Sequence, residues 1–223
     1  MINLYEVLPK QLKKKPKFDK ATNMELPFRC AVVGSSGAGK TNWLLNLIKL
    51  QASNFERIVV CTKNASEPLY QFLQMKIPPD QLEIYEGVEN IPAVDSFKDS
   101  NESILMVFDD LMLEKDQKVI EEYYIRGRKV AGGISCCYLL QSFVKVPITI
   151  RRNIGYLILK KVGSMKDITT IIKNYSLECS KEAIINMYNK CTAKQTDFLM
   201  VDLSAPENER FRHNFKNIIK PAC

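Results

Sequence analysis

The sequence predicts an α/β fold with a mostly parallel central sheet flanked by helices. Short, nearly continuous apolar runs alternate along the chain with segments of helical periodicity, a pattern typical of parallel strands covered on both faces. A loop with three glycines follows the first of these runs, and a later run ends in two carboxylates. The chain has 223 residues, of which 46% are hydrophobic and 26% charged, so one sizeable globular core is expected.

The individual elements follow from the same patterns. Strands are predicted where apolar residues run together, and helices where apolar residues recur every three or four positions. The predicted strands are residues 28–33, 57–62, 82–87 (a minor strand), 103–110, 134–142 and 155–160, and the predicted helices are residues 40–50, 68–75, 114–125, 165–175 and 181–189. Residues 197–203 (DFLMVDL) and 210–216 (RFRHNFK) are predicted to form a strand pair or a strand plus a tail.

The chain divides into a basic N-terminal arm, residues 1–25, and one domain, residues 26–223. The net charge is +7, and residues 1–20 hold six lysines against two acidic residues. Two interpretations stay open: the arm is solvated and aids solubility, or it contacts a polyanion such as DNA or an acidic partner. No apolar run approaches the ~18 residues of a membrane helix, and we identify no secretory signal. We therefore expect an intracellular protein without a membrane span.

The seven cysteines are scattered, and no CxxC pair or Cys/His cluster has the spacing of a metal site. Cys136 and Cys137 are adjacent within an apolar run. Reduced cysteines that serve as small buried apolar groups are the favoured interpretation, and a zinc site is the disfavoured one.

Residues 34–41, GSSGAGKT, match the pattern G-x-x-x-x-G-K-[ST] between a predicted strand and a predicted helix. Glycines allow backbone N–H groups to approach phosphate oxygens, and a helix N-terminus favours anions. Lys40 supplies charge to the β- and γ-phosphates, and Thr41 supplies a hydroxyl to Mg²⁺. The alternative is a glycine turn that binds no nucleotide. The residues predicted to bind the nucleotide are Gly34, Ser35, Ser36, Gly37, Ala38, Gly39, Lys40 and Thr41.

Two carboxylates, Asp109 and Asp110, end the apolar run ILMVFDD. Ligands bind at the carboxyl ends of strands in open α/β sheets, and in P-loop NTPases an acidic residue there holds Mg²⁺. We assign the metal to Asp109, together with Thr41, and the orientation of the attacking water to Asp110. The alternative for Asp110 is that it only begins a loop.

A catalytic acid beside the metal-binding Asp indicates a P-loop NTPase of the RecA-like, additional-strand (ASCE) class. In that class another strand lies between the phosphate-loop strand and the strand that ends in the acids, and ISCCYLL is the natural candidate. Gln141 follows it and is predicted to face the γ-phosphate between Lys40 and Asp109. The alternative is a polar residue at a solvent-facing strand end.

The segment YIRGRKVAGG carries Arg126 and Arg128. These arginines precede the inserted strand and should lie far from the phosphates of their own subunit, so one of them could complete a neighbour's site; a basic surface turn is the alternative. Two interpretations are also open for Arg151, Arg152 and Asn153: they report the nucleotide state, or they cap a strand end. No catalytic role is expected for His213, the only histidine of the chain.

Taken in order, these motifs resemble the genome-packaging ATPases of double-jelly-roll DNA viruses in the FtsK/HerA superfamily. That group includes the poxvirus-type, virophage and polinton-like packaging ATPases. The resemblance covers about residues 24–215, and one departure is Lys129, where many relatives have His. The segments that carry it are FRCAVVGSSGAGKTNWLL, LMVFDD, YIRGRK, YLLQSFVKVP, IRRN with the following LIL, and DFLMVDL.

The resemblance implies that residues 34–41 bind ATP, that Asp109 and Asp110 are the Walker B pair and that Gln141 is the sensor. It suggests Arg128, together with Arg126, as the finger that acts on a neighbouring subunit. It further implies a pentameric or hexameric ring around double-stranded DNA, capsid or vertex proteins as partners, and a place at the viral assembly site in the host cell or with the virion.

The leading hypothesis is therefore an ATP-driven translocase that pumps double-stranded viral DNA into a preformed capsid. One alternative is the same motor with plasmid or cellular DNA as its cargo. Another is a GTPase switch, although the chain lacks an N-K-x-D base-reading motif. A third is a non-enzymatic DNA-binding or capsid-assembly factor, which the combination of Lys40, Thr41, Asp109 and Asp110 disfavours.

Overall fold

The computed structural model describes Pro9 and residues 17–221. Four of the six lysines of the predicted arm, all before residue 16, lie outside these residues. The strands are β1 (Lys17–Phe18), β2 (Glu25–Leu26), β3 (Arg29–Val33), β4 (Arg57–Thr62), β5 (Leu82–Glu86), β6 (Ile104–Asp109), β7 (Ile134–Leu140), β8 (Tyr156–Leu159), β9 (Leu199–Asp202), β10 (Phe211–His213) and β11 (Asn217–Ile218). The α-helices are α1 (Lys40–Gln51), α2 (Pro68–Lys76), α3 (Lys118–Arg126), α4 (Ile148–Asn153), α5 (Met165–Asn174) and α6 (Lys181–Cys191).

Strands β3 to β11 form one sheet in the order β11-β10-β9-β8-β3-β7-β6-β4-β5. The six strands from β8 to β5 are parallel, and β9 to β11 extend the sheet antiparallel at the β8 edge. The predicted strand pair near the C-terminus is thus confirmed as β9 and β10. The predicted α/β class with a mostly parallel sheet is confirmed as well.

The additional strand is β7, which pairs in parallel with β3 on one side and with β6 on the other. Val33 lies opposite Leu140, and Asp109 lies opposite Leu139. The carboxyl ends of the three strands therefore meet at one edge of the sheet. This register brings the glycine loop, the acid pair and the residue after β7 to the same place.

Each face of the sheet has its own core, because alternate residues of a strand point to opposite faces. In β3, Ala31 and Val33 pack on the face covered by α3 to α6, whereas Cys30 and Val32 pack on the face covered by α1 and α2. All four side chains are fully buried. The near-continuous apolar runs thus form strands of a sheet that is covered on both faces, as the sequence predicted.

Two helices differ from the sequence prediction. Helix α3 begins at Lys118 rather than at residue 114, because Leu111 and Met112 turn into the core and the side chain of Asp116 accepts a hydrogen bond from the Lys118 amide (2.9 Å). Helix α4 was not predicted. Its six residues are too few for periodicity to reveal, and its one fully buried side chain is that of Ile150.

Part of the predicted arm lies against the domain. Strands β1 and β2 pair with each other, Met24 is fully buried, and Gln51 of α1 donates a hydrogen bond to Thr22 Oγ1 (2.5 Å). Lys17 and Lys20 are exposed. The division at residues 25 and 26 stays a prediction, because residues 1–8 and 10–16 of the arm lie outside the described part.

Five of the cysteines in the described residues are buried apolar groups, as the favoured interpretation required: Cys30, Cys61, Cys136, Cys137 and Cys191. Between residues 17 and 221 and at Pro9, no three His, Cys, Asp or Glu side chains converge in a way that could hold a metal ion. None of the helices in this part of the chain is long and apolar enough to cross a membrane.

Candidate active site

Residues 34–41 form the loop between β3 and α1. Gly37 and Gly39 have φ angles of 72° and 80°, a left-handed conformation that glycine adopts without strain. Gly34 is required for another reason: a Cβ there would lie 2.7 Å from Lys160 Cβ of the neighbouring strand end. Helix α1 begins at Lys40, and the N–H groups of a first helical turn have no partners within the helix. The loop and the helix terminus together present backbone donors to an anion.

The Lys40 ammonium folds back over this loop. Its Nζ donates to the carbonyl oxygens of Gly34 (2.9 Å) and Ser35 (3.1 Å). Burial lowers the pKa of Lys40, and the carboxylates of Asp109, Asp110 and Glu67 act in the opposite direction. Because charge-assisted bonds to phosphate are stronger than bonds to neutral carbonyls, an incoming phosphate would replace these two acceptors.

Asp109 ends β6 and is only 6% exposed. Its Oδ2 accepts a hydrogen bond from the hydroxyl of Tyr70 in α2 (2.5 Å). Burial raises the pKa of Asp109 to about 6, while the Tyr70 hydrogen bond and the Lys40 charge lower it and Glu67 and Asp110 raise it. A buried carboxylate in this state favours a nearby cation.

Asp110 and Gln141 are in direct contact. Asp110 has a φ angle of 56°, which turns the chain sharply after β6, and its amide donates to the Leu139 carbonyl of β7 (3.4 Å). Gln141 follows β7, and its Nε2 donates to Asp110 Oδ1 (2.8 Å). The water-orienting candidate and the sensor candidate therefore form one hydrogen-bonded pair at the mouth of the site.

A cavity of about 300 Å³ lies between the loop and the two acids, at the lower limit of small-molecule sites. Thr41 and Asp109 place a hydroxyl and a carboxylate on its wall, and hard oxygen ligands of this kind suit Mg²⁺. The residues that line the cavity are Ser36, Gly37, Gly39, Lys40, Thr41, Asn42, Glu67, Leu69, Asp109, Asp110 and Gln141.

Two residues of this site were missed by the sequence analysis. Glu67, which directly precedes α2, lines the same cavity as the acid pair, and Tyr70 holds Asp109. Both belong to the segment after β4, and β4 pairs with β6 so that Thr62 lies opposite Asp109. Only their position in the chain could have identified them. The segment after β4 reaches the same edge of the sheet as the acid pair, because β4 lies next to β6.

Arg126 and Arg128 lie away from this cavity, as predicted. The short turn Gly127–Lys129 that contains Arg128 precedes β7 and is thus at the amino edge of the sheet. Arg126 forms ion pairs with Asp95 and with Glu122 of its own chain. Arg128 instead lines a different cavity, of about 910 Å³, together with Lys17 and Lys129.

The remaining candidates make structural contacts. Arg151 donates to the carbonyls of Val146 (2.7 Å) and Val144 (2.6 Å), in the loop that follows Gln141. Asn153 Oδ1 accepts a hydrogen bond from Arg29 of β3 (2.9 Å). His213 Nε2 lies 3.2 Å from Asp197 Oδ2, outside the set of residues that line the phosphate-loop cavity.

A family model described as Poxvirus A32 protein matches residues 15–212. The chain belongs to the poxvirus A32 protein family. The match spans the glycine loop, the acid pair, the Arg128 turn and Gln141, so the resemblance inferred from these motifs is confirmed. The A32 relative from vaccinia virus (strain Copenhagen), DNA packaging protein OPG160, is 24% identical over 198 residues, which cover 83% of this chain and 72% of that protein. The protein of the same name from monkeypox virus is also 24% identical over 198 residues, with 83% of this chain and 65% of that protein covered.

Solved structures show the same fold. The genome packaging NTPase B204 from Sulfolobus turreted icosahedral virus 2, in complex with sulfate, matches with a TM-score of 0.63 and 16% identity. The match covers 88% of this chain and 100% of that one. The ATP-gammaS complex of the same NTPase matches with a TM-score of 0.59 and 16% identity, over 86% of this chain and 98% of that one. The structural similarity establishes that this chain has the P-loop NTPase fold.

We predict that Asp109→Asn stabilises the metal- and nucleotide-free protein at pH 8 by about 1–3 kcal/mol. The folded-state pKa of about 6 lies above the unfolded value of 3.8, so the folded state binds more protons between these values. The free energy of unfolding of the wild type therefore falls as pH rises from about 4 to about 6, whereas that of the variant does not. Urea unfolding at pH 4 and pH 8 measures the difference.

The matched control is Asp80→Asn, at an exposed carboxylate that does not line the cavity; this substitution should change the free energy of unfolding little at either pH. An Asp109→Asn variant that is destabilised equally at pH 4 and pH 8 would contradict the assignment of a raised pKa.

Proposed function

We propose that this protein is a motor that hydrolyses ATP to package double-stranded viral DNA into a preformed capsid. The observation that carries the proposal is the single cavity lined by Lys40, Thr41, Asp109, Asp110 and Gln141. Relatives in the A32 family are named DNA packaging proteins, and the NTPase whose fold the chain shares is named for genome packaging. Such a motor would act in the host cell, where virions assemble.

The proposed roles follow from the contacts in the cavity. Loop N–H groups and the Lys40 ammonium hold the β- and γ-phosphates. Thr41 and Asp109 would hold Mg²⁺, which supplies neutralisation of phosphate charge when it is bound. Asp110 orients the attacking water, and Gln141 reports the γ-phosphate through its 2.8 Å hydrogen bond to Asp110.

Glu67 is the other carboxylate on the cavity wall that could orient water. We favour Asp110, because its hydrogen bond from Gln141 fixes the side chain beside the end of β7. Glu67 lies one segment away, on the wall formed by the start of α2, where its charge raises the pKa of Asp109.

Arg128 is the favoured candidate for the trans-acting finger. Arg126 already forms ion pairs with Asp95 and Glu122 of its own chain, whereas Arg128 has no ion pair among the described residues. Arg128 lies in the turn before β7, at the sheet edge opposite the phosphate loop, so the phosphates on which we propose that it acts are those of a neighbour. A homo-oligomeric ring, pentameric or hexameric, with DNA in its channel satisfies this requirement.

We expect Lys40→Ala to reduce ATP turnover by at least ~10²-fold, because it removes the cation that faces the phosphates. The wild type should hydrolyse ATP faster when double-stranded DNA is present, and raising the salt concentration should weaken that stimulation. Steady-state phosphate release with and without DNA measures both effects.

Lys49→Ala, at the exposed end of α1, is the matched control and should retain activity. Turnover of GTP but not ATP would favour a GTPase switch instead. Full activity of Lys40→Ala would exclude this cavity as the hydrolytic site.

Substitution of the two cavity carboxylates should separate their roles. Asp110→Asn is expected to lower the single-turnover rate by ~10²–10⁴-fold, since it removes the group that orients water. Glu67→Gln should stay within about tenfold of the wild type. Rapid-quench hydrolysis measures these rates, and ATP-analogue binding serves as the control for an intact site. A severe loss in Glu67→Gln with a mild one in Asp110→Asn would reverse the assignment.

Mixed oligomers test the position of Arg128. Arg128→Ala alone should lose ~10³–10⁵-fold in rate. Mixing it with Asp110→Asn subunits should restore activity, because some interfaces then combine an intact Asp110 with a neighbour's intact Arg128. Phosphate release from rings verified by light scattering measures the rescue.

The control mixes Arg128→Ala with the double variant Arg128→Ala, Asp110→Asn, which offers no complete interface and should stay inactive. An assembled mixed ring without rescue would exclude a trans role for Arg128.

A further inference from the structure

The carboxylate of Asp167 is buried outside the phosphate-loop cavity. The residue lies in the first turn of α5 and is 5% exposed. Its Oδ1 accepts hydrogen bonds from the Ser142 hydroxyl (2.8 Å) and from the amides of Phe143 (2.7 Å) and Val144 (3.2 Å). A carboxylate loses its hydration when it is buried, so these hydrogen bonds stabilise both the acid and the segment that donates them. That segment directly follows Gln141 along the chain.

An acid in the first turn of a helix often stabilises only its own helix, through the helix dipole or as a cap. In α5 the cap is Ser164, whose Oγ accepts a hydrogen bond from the Lys166 amide (3.2 Å). The Asp167 side chain is bonded to residues 142–144 instead. Asp167 therefore holds a second segment of the chain in place, in addition to any effect on its own helix.

Gln141 lies between two anchored residues. Leu140 ends β7, and its carbonyl accepts a hydrogen bond from the Gly34 amide of the phosphate loop (3.0 Å). On the other side, Ser142 is bonded to Asp167. The Gln141 side chain is exposed between these anchors and reaches Asp110 Oδ1 (2.8 Å). A displacement of Ser142 would therefore move the Gln141 amide relative to Asp110.

The segment that leads from β8 into α5 also contacts the phosphate loop. Ser35 donates two hydrogen bonds to the Lys161 carbonyl, one from its amide (2.9 Å) and one from its hydroxyl (3.0 Å). In the sheet, β3 lies between β7 and β8. Residues 161–167 thus contact the phosphate loop at one end and residues 142–144 at the other. They fix the segment after Gln141 relative to the loop that would hold the phosphates.

Arg151 supports the same loop, but farther from Gln141. Its guanidinium donates to the carbonyls of Val144 and Val146, and it lies over the ring of Phe143, 5.5 Å from the ring centroid. These contacts begin two residues later than those of Asp167, which start at Ser142. Asp167 is therefore the contact that acts on the residue next to Gln141.

We propose that Asp167 is a positioning residue for ATP hydrolysis, which acts by holding residues 142–144 so that the Gln141 amide meets Asp110. The inference rests on the proposed function, because it takes Gln141 and Asp110 to be the groups that respond to the γ-phosphate and orient water. It adds a residue of α5 to the site, although Asp167 lines no part of the phosphate-loop cavity.

The first test substitutes the acid. We expect Asp167→Ala to lower kcat for ATP by ~10²-fold, because displacement of a catalytic group by about 1 Å has an effect of that order. KM, and the affinity for the analogue AMPPCP, should stay within about threefold of the wild type, since the phosphate loop is unchanged. Asp167→Asn retains an acceptor oxygen of the same size and should lose only about 3–10-fold in kcat.

A double-variant cycle separates positioning from a general loss of structure. Gln141→Ala alone should lower kcat by ~10²-fold. If Asp167 acts through Gln141, adding Asp167→Ala to Gln141→Ala should change kcat by no more than about twofold. Should Asp167→Ala not fold, Asp167→Asn carries the same comparison.

Asp19→Ala is the matched control. Asp19 is also a nearly buried carboxylate, at 9% exposure, and its Oδ1 likewise accepts from two amides, those of Ala21 (3.0 Å) and Thr22 (2.7 Å), and from one hydroxyl, that of Thr22 (2.8 Å). It does not line the phosphate-loop cavity. Asp19→Ala should lower the melting temperature as Asp167→Ala does, but leave kcat within about twofold of the wild type.

Amide hydrogen exchange tests the contact without turnover. In the protein without ATP, the amides of Phe143 and Val144 should exchange at least ~10-fold faster in Asp167→Ala than in the wild type, because each loses its acceptor. The amides of α1 should exchange at unchanged rates. Equal exchange of residues 143 and 144 in the two proteins would overturn the inference.

The kinetic outcomes distinguish this inference from the proposed function. Wild-type turnover that Asp167→Ala leaves unchanged, or a loss of equal size in the Gln141→Ala background, would overturn the positioning role and leave the motor standing. Turnover that is indifferent to DNA, with the coupling between Asp167 and Gln141 intact, would refute the motor alone. A wild type that hydrolyses no ATP would overturn both.

Discussion

The insertion of β7 between β3 and β6 is the constraint on which the site depends. Parallel pairing in this register ends three strands at the same level, with Val33 opposite Leu140 and Asp109 opposite Leu139. Each strand then contributes one kind of group at its carboxyl end. The loop of backbone donors follows β3, the carboxylate pair ends β6, and the side-chain amide of Gln141 follows β7. The Gly34 amide donates to the Leu140 carbonyl (3.0 Å), so the loop begins as a continuation of the sheet. A shift of one residue in β7 would turn every buried side chain of that strand to the opposite face.

The electrostatics of the cavity are unbalanced in a way that suits a metal–nucleotide complex. Three carboxylates, those of Glu67, Asp109 and Asp110, act on the single ammonium of Lys40. A triphosphate without a cation would meet more negative than positive side-chain charge, and its entry would be opposed. Burial raises the pKa of Asp109, and this imbalance adds to the rise, because the two neighbouring carboxylates also favour its neutral form. A divalent cation beside Asp109 removes the imbalance, so binding of nucleotide and metal should be coupled.

Local pattern was sufficient to predict the parts of the site that are contiguous in sequence or fixed by strand ends. The glycine loop, the acid pair and Gln141 all follow directly from predicted strands, and the sheet brings their positions together. The contact between Tyr70 and Asp109 could not be predicted, because it depends on where α2 packs after β4 rather than on any spacing in the sequence. The ion pair between Arg126 and Asp95 could likewise not be predicted from the sequence, because a strand and a loop separate the two residues along the chain. The burial of Lys160, which is 1% exposed, could not be predicted either, because an exposed lysine at a strand end has the same sequence pattern.

Arg128 and the phosphate loop lie at opposite edges of the sheet, which explains why this site would need a neighbouring subunit. Strand β7 joins them, with the Arg128 turn before it and Gln141 after it, and its seven residues span about 23 Å. That separation is fixed by buried parallel pairing on both sides of β7, so no side-chain rearrangement can bring Arg128 to its own phosphate loop. If Arg128 acts on ATP, the phosphates belong to another subunit, and the rate of hydrolysis then depends on how closely the subunits approach each other. The contacts between subunits in a ring would then control the rate of ATP hydrolysis, and a motor that acts on a long polymer requires such control.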